Sequence, residues 1–529
     1  MNKTTIIAFL SCCCVFIYSQ QLTFTKAFEG HKKNVAISII NNHPHYFHVL
    51  RYNKAAHDIT IERRDKPNAH ILAFTPLKLD SVNSSLFDYE NLDYLCFEND
   101  YKLYFVFEKV LNKQRTIYLK AIDTLGKSNG FMELASLHSE EGESLNFSFS
   151  KGGDNHSILI VGTISYPNGI TKKSAILFDV NSHKTLWIKK LPHENSMAEL
   201  TDNFITNKNN DLVYVHYKIK SISVVDNFVK SPYGNFPLSR LMGSGPLGYI
   251  NDQNPVKRTV INEYDKITLI KSFSDSKEII SRVLNLNNIE VVNWATIVPE
   301  GDDVIYAAHV VENDMGPKPY VHLERMNKNM DSVLYMKKHL LSLPVYKQLT
   351  FFDGNDYDDP SYKKYFFNQI ILKNDEMVIV SERKSENYYK ELLSWRFRVN
   401  SGELVKLEVI PRKVFYFSGR TRFKNIGECM ITLKRDSLNF YVLEDPKNFN
   451  APAKDFKYHS FKQQKNLWGS NIVCYHSGTS GITRKSLTYV NQNFELVPLL
   501  YKSNNESDEV FYFNEGTYEK FGFISLKYP

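Results

Sequence analysis

An all-β fold made of repeated four-stranded antiparallel sheets is what this 529-residue sequence predicts, and three observations point to it. Tyr365 to Ile410 parses as four short strands in succession, with turn chemistry at Lys373-Asn374-Asp375-Glu376 and Asn400-Ser401-Gly402-Glu403 and a longer polar connection at Ser385-Glu386-Asn387. Asn, Asp and Gly tolerate the left-handed backbone of tight hairpin turns, and the flanking Phe, Ile, Val, Tyr and Trp suit a pleated sheet. The same hairpin form recurs along the chain. Aromatic residues reach 13%, with 32 Tyr and 35 Phe against 4 Trp, and Phe and Tyr are good strand formers. About 45 residues of up-and-down sheet is the size of one β-propeller blade. The expected architecture is therefore a single β-propeller of seven blades, with eight as the close alternative and tandem β-sandwich domains as the structural rival. No Pro/Ser-rich linker cuts the chain into sandwich-sized units.

Taken in order, Met1 to Ser19 reads as a signal peptide. Lys3 supplies the positive start and Ile6 through Tyr18 an apolar run too short to span a hydrocarbon core of about 30 Å. Cleavage is expected after Ser19, with residues 20–529 forming the propeller. Cys12, Cys13 and Cys14 leave lipoprotein processing as the alternative. Hairpins follow at YLCFENDYKLYFVF, FSKGGDNHSILIVGTIS and ITNKNNDLVYVHYKIK. In the last, Val213, Val215, Tyr217 and Ile219 face one way and Tyr214, His216, Lys218 and Lys220 the other, so one face is expected to be the more buried. The pattern returns as VINEYDKITLIKSF, IVPEGDDVIYAAHVV, IILKNDEMVIVSER, FKNIGECMITLKRD and LWGSNIVCYHSG. Phe131 to His138 and Ser276 to Leu286 read as single helical turns or short helices. Asp226 to Arg258, rich in Gly, Pro and Asn, reads as a long loop outside the sheets, and residues 351–362 (FFDGNDYDDPSY) as an acidic loop between repeats. The final segment is a hairpin turning at Asn514-Glu515-Gly516-Thr517. Its last strand would be an aggregation edge unless it paired with a strand from the beginning of the chain, such as Leu22 to Phe28 or Val35 to Ile40, which would close the ring.

The net charge of +7 is spread among 65 Lys and Arg and 58 Asp and Glu, with no dense basic block, which argues against a nucleic-acid partner. No other stretch approaches transmembrane length. Beyond the signal, Cys96, Cys429 and Cys474 sit in apolar strand patterns and read as buried, inert thiols; one bridge between two of them is possible.

Several motif matches dissolve when their physical context is required. Ala121 to Ser128 loosely fits a phosphate loop, and Gly126-Lys127-Ser128-Asn129-Gly130 fits G-x-S-x-G, but the stretch reads better as the turn between TIYLKAID and FMELASL and the chain lacks the alternating βα pattern, so Ser128 is expected to be exposed. Gly243, Gly245 and Gly248 match G-x-G-x-x-G without the strand and helix that give it meaning. Asp353, Asn355, Asp356, Asp358 and Asp359 offer hard oxygen ligands, yet Asp358 stands where a calcium loop needs Gly and Lys364 where it needs Glu. His193-Glu194 begins a zinc-protease-like HExx, but Met197 replaces the second His. His43, His45 and His48 read as a turn entering a strand. Asp302-Asp303 and Glu140-Glu141 fall at turns, so no glycosidase dyad can be placed. Asn83, Asn146, Asn155 and Asn505 begin N-x-S sequons.

The hairpins at Asn374 and Asn209 make the chain resemble exported bacterial β-propeller proteins, over roughly residues 22 to 529 and at the level of architecture; no WD, kelch or Asp-box motif is present. The Lys/Asn/Ile/Tyr-rich composition and the Ser-Gln-Gln junction look like secreted Bacteroidota-type proteins. The resemblance implies a scaffold gathering loops around a funnel. The expectation is a non-enzymatic binding protein, secreted or periplasmic or else lipid-anchored to the outer membrane, contacting a glycan, peptide or protein through one propeller face, with no cofactor or metal. A propeller glycosidase or lyase with carboxylates from separate blades is the alternative.

Overall fold

The computed structural model describes residues 21–527 apart from 25–27, 30–33, 54–57, 67, 79–93, 112, 124–125, 129, 193, 196–198, 227–257, 285–288, 313–317, 342–364, 374, 386–387, 413, 416–428, 435–436, 445–447, 449–450, 452–458, 461–470, 479–480, 487–493, 505–507 and 516–519. The signal-peptide residues, both flagged loops and the G-x-G-x-x-G match thus lie outside the described residues. Two compact units form, one from residues 91–124 and 128–413 and the other from residues 1–90, 125–127 and 414–529.

The 91–413 unit holds five consecutive antiparallel sheets. They run Tyr94–Asn99, Lys102–Leu111, Gln114–Ile122, Met132–His138; then Ser144–Lys151, Ser157–Ser165, Ile170–Asp179, Lys184–Lys190; then Glu199–Thr206, Leu212–Asp226, Arg258–Ser272, Ile279–Val283; then Ile289–Glu300, Asp303–Glu312, Lys318–Met326, Val333–Leu340; and finally Tyr365–Lys373, Glu376–Ser385, Tyr388–Arg398, Leu404–Ile410. First strands of neighbouring sheets lie against each other, Ile289–Glu300 touching both Glu199–Thr206 and Tyr365–Lys373, while no fourth strands come comparably close among the described residues. Sheets that converge at their first strands and splay at their fourth are the blades of a β-propeller.

The other unit has two sheets of the same form, Asn34–Asn42, Tyr46–Asn53, Asp58–Asp65, Ile71–Pro76 and Met430–Lys434, Ser437–Glu444, Asn471–Gly478, Gly481–Ser486. Among the described residues, seven sheets are therefore built from strands in sequence order, and an eighth is shared between the two ends. In it Phe494–Asn504, Asp508–Glu515 and Lys520–Lys527 are completed by Gln21–Phe24, which runs antiparallel to the last strand with Leu22 opposite Leu526 and Phe24 opposite Ile524. The expected pairing with Leu22 to Phe28 is realised, whereas Val35 to Ile40 pairs with its own hairpin partner, Tyr46–Asn53.

Three local expectations are corrected. Met132–His138 and Ile279–Val283 are fourth strands, not helical turns; Met132–His138 pairs along Gln114–Ile122 and Ile279–Val283 along Arg258–Ser272, and their alternating exposure is that of an outermost strand. Asn262 to Asp265 does not turn: Arg258–Ser272 is one continuous strand, absorbing its polar run through irregularities opposite Lys218 to Ser221. Finally, second strands are buried on both faces, as at Leu103 to Phe107 and Met377 to Arg383, because each sheet is packed between neighbours. One shared core joins Ile305, Leu323 and Trp294 to Met377, Trp395 and Phe397, and another joins Val215 and Leu269 to Tyr306 and Tyr320. Burying side chains of this size stabilises by roughly 1.5–3 kcal/mol each.

Turn residues do a second job by latching one blade to the next. Gly153 N–H donates to Thr206 Oγ1 at 3.0 Å, and Asn209 Nδ2 donates to Asp302 Oδ1 at 2.6 Å. Arg325 holds Asp303 at 2.8 Å and donates to Val399 O at 3.0 Å. At Gly402, where φ is +65°, a Cβ would stand 2.4 Å from the Tyr335 ring, so only glycine fits.

Candidate functional site

Between the 144–190 and 199–283 sheets the interface is apolar at one end and polar at the other. Leu159, Val161, Ala175 and Leu177 pack on Leu212 and Tyr214. Strand alternation carries those two faces onward to Thr163 and Lys173 on one side and to His216 on the other, with Asn146 opposite Thr163 and Thr201 opposite His216. The result is a polar end to this interface, on the side of Asp226 and Arg258, referred to below as the cleft.

One wall is a first strand with serine or asparagine at alternate positions. Ser144, Asn146, Ser148 and Ser150 are exposed while Leu145 and Phe147 are buried. The floor is charged. Lys173 Nζ lies 3.1 Å from the Glu194 carboxylate and donates to Thr201 O at 2.5 Å, both side chains being less than a tenth exposed. His216 Nδ1 sits 3.2 Å from Thr201 Oγ1, and its Nε2 lies 4.0 Å from Glu199. Burial, with the Glu194 carboxylate adding to it, pushes the Tyr214 phenol up to about 12, so it stays protonated.

Thr201, His216 and Glu199 have the connectivity of a hydroxyl, base and acid. The hydroxyl, however, is only 2% exposed and beneath the cleft surface. Among the described residues, none of the exposed serines on the opposite wall is hydrogen-bonded to a base. The cleft is thus equipped to hydrogen-bond a polar ligand through hydroxyl, amide, ammonium and imidazole groups.

Glu194, half of the HExx match, joins this cleft as an ion-pair partner, and Asn146, the start of a sequon, stands on its wall; His193 and Met197 lie outside the described residues. Ser128 is exposed, bridged to Ile122 after Gly126 at φ +78°, so the stretch is a turn and not a nucleophile elbow. Glu140 and Glu141 are exposed at a turn, Asp302 accepts from Asn209, and Asp303 pairs with Arg325, so these carboxylates serve turns and latches. His43, Tyr46 and His48 form an aromatic cluster with the Arg63 guanidinium 3.8 Å above the Tyr46 ring. Burial, with His43 and Arg63 adding like charge, pulls His48 down to about 4, and its Nδ1 lies 2.9 Å from Asn41 Oδ1. Among the described residues no group of three His, Cys, Asp or Glu side chains is placed to hold a metal. Cys429 and Cys474 are buried as expected, while Cys96 is only partly so. Asn146 and Asn155 are exposed; Asn83 and Asn505 lie outside the described residues.

Sequence reasoning did not single out Lys173 or Thr201, whose partners are distant in the chain. The row Tyr214, His216, Lys218 was the legible trace, since it sets polar residues on a face that is otherwise apolar.

No protein-family model matches the chain, and no curated protein matches it. Among solved structures it is similar to the β-propeller domain of the Trilobed protease from Pyrococcus furiosus, at 9% identity over 82% of this chain and 95% of that one, with a TM-score of 0.35. A prolyl endopeptidase matches at 8% identity over 91% of this chain and 53% of its own length, with a TM-score of 0.39. Synechocystis apocarotenoid oxygenase matches at 9% identity over 97% and 95%, with a TM-score of 0.33. Those proteins perform unlike reactions, and at such identity none lends its activity to this chain. The strand pairing itself makes the chain a β-propeller.

Proposed function

We propose that the protein is an exported, non-enzymatic binding scaffold that takes a hydroxyl-rich ligand, a glycan in the first instance, in the cleft between the 144–190 and 199–283 sheets. The observation that carries this reading is the division of labour in the cleft. Its buried charged groups, Lys173 and Glu194, are spent on each other and Glu199 lies beside His216, while Ser144, Asn146 and Ser148 stand exposed on the wall. Neutral donors and acceptors on a strand suit recognition of sugar hydroxyls, which carry no charge of their own. Export rests on Lys3 and the apolar run from Ile6 to Tyr18.

A glycan array probed with the full chain, followed by calorimetric titration of any hit, tests the reading. Asn146→Ala with Ser148→Ala should abolish binding, and the same glycans should remain uncleaved. Turnover that disappears in His216→Ala would replace this reading with the glycosidase one. Mass spectrometry of the exported protein should find Gln20 first; a diacylated Cys12, Cys13 or Cys14 would instead mark a lipoprotein.

A further inference from the structure

Most of the large apolar side chains exposed in the described residues lie on fourth strands, the strands with a free edge. Two of these, in the 144–190 and 289–340 sheets, carry the same five-residue pattern, leucine, aromatic, apolar, lysine, lysine: Leu186-Trp187-Ile188-Lys189-Lys190 and Leu334-Tyr335-Met336-Lys337-Lys338. The repeat is structural as well. In both strands the leucine is the extra residue of a β-bulge, since Trp187 pairs with Leu177 and Thr185 with Phe178, just as Tyr335 pairs with Arg325 and Val333 with Met326. In both, the aromatic residue turns inward onto the next sheet: Trp187 Nε1 donates to Asn210 O at 2.9 Å, and Tyr335 packs on Gly402. Its neighbours turn outward. Leu186 is 44% exposed, Ile188 66%, Leu334 51% and Met336 47%, and Lys190 and Lys338 are exposed beyond them.

We propose that these two fourth strands are docking edges for an extended peptide segment of a partner that carries alternating apolar and acidic side chains. Among the described residues no further strand pairs with either outer edge, which leaves backbone groups there for strand addition, and the outward row offers two apolar contacts followed by a cation. Neither strand, KTLWIKK nor VLYMKKHL, contains a carboxylate, although Asp and Glu almost equal Lys and Arg over the whole chain. A second copy of the same edge is a poor occupant, because it brings two more lysines and no carboxylate to meet them. Beyond the bulge, Tyr335 to Leu340 pairs without interruption along its neighbour, giving roughly 20 Å of regular strand. This surface is separate from the polar cleft, so either reading can fail without the other.

The test is fluorescence anisotropy of the full chain with the labelled probe acetyl-Thr-Val-Thr-Glu-Thr-Val-Thr-amide, in which Val, Glu and Val share one face. Saturable binding is expected, weakened at least about tenfold when the probe's Glu is replaced by Lys. The variant Ile188→Lys, Lys190→Glu, Met336→Lys, Lys338→Glu should melt as the wild type does, lose the Glu probe and gain the Lys probe. Equal binding of both probes, binding unchanged in the variant, or no saturation up to about 1 mM would overturn the proposal. So would co-sedimentation with phosphatidylglycerol vesicles in the absence of peptide binding, which would assign the surface to lipid.

Discussion

Lys173→Met removes one partner of a buried ion pair and leaves Glu194, 4% exposed, without its cation. Breaking such a pair from one side costs about 3–5 kcal/mol, because the remaining charge keeps its desolvation penalty and loses its compensation. The substitution also deprives Thr201 O of a donor at 2.5 Å, worth about 1 kcal/mol. Converting both partners, Lys173→Met with Glu194→Met, removes the stranded charge, so most of the loss should return and leave a deficit of about 1 kcal/mol from Thr201. Urea denaturation followed by tryptophan fluorescence reads the right region, since Trp187, Trp294 and Trp395 all belong to the same unit. A single substitution costing under about 1 kcal/mol, the range of exposed pairs, would refute the reasoning. A double variant as unstable as the sum of its singles would refute it equally.

Other perturbations separate further features. His309 is fully buried against Trp294, and burial pulls it down to about 3. Its unfolded form protonates first as pH falls, so the stability it protects is complete above 6.5 and is lost down to about pH 3; His309→Phe should flatten that slope by up to about 1.4 kcal/mol per pH unit between pH 6.5 and 5, measured by denaturation at fixed pH values. Gly402→Ala should cost about 1–2 kcal/mol for its left-handed backbone, plus displacement of the Tyr335 ring, visible as a lowered melting temperature; an unchanged melt would contradict the close approach. Tyr475→Phe removes the donor 2.5 Å from the buried Glu444 and should cost about 1–3 kcal/mol by the same denaturation assay. Deleting residues 20–29 should expose the edge of Lys520–Lys527 and yield aggregates in size-exclusion chromatography, while the intact chain elutes free of them.

Where turn residues and alternation agree, the fold is legible from the chain alone. Tyr365 to Ile410 resolves into its four strands because Asp375 stands in one turn, accepting from Asn400, and Gly402 has the left-handed backbone of another. Asn262 to Asp265 misleads for the same reason read backwards: it has turn composition, but its cross-strand partners, Ile222 and Ser221 among them, hold it extended. Met132–His138 escapes detection because an outermost strand exposes alternate residues and mimics a short amphipathic helix. The polar cleft is less legible, since Lys173 meets Thr201 across two sheets and no spacing rule links them. The five-residue pattern was visible in the letters throughout, and it acquires meaning only once both copies fall on the same kind of strand.

The pairing of Gln21–Phe24 with Lys520–Lys527 also sets a clock. These partners are separated by about 500 residues of synthesis, which at about 5–20 residues per second is roughly 25 to 100 seconds. Throughout that interval the earliest segment has no mate, and the sheet it completes does not yet exist. Whatever shelters it from unwanted pairing as the chain emerges governs yield as surely as the packing of the finished blades.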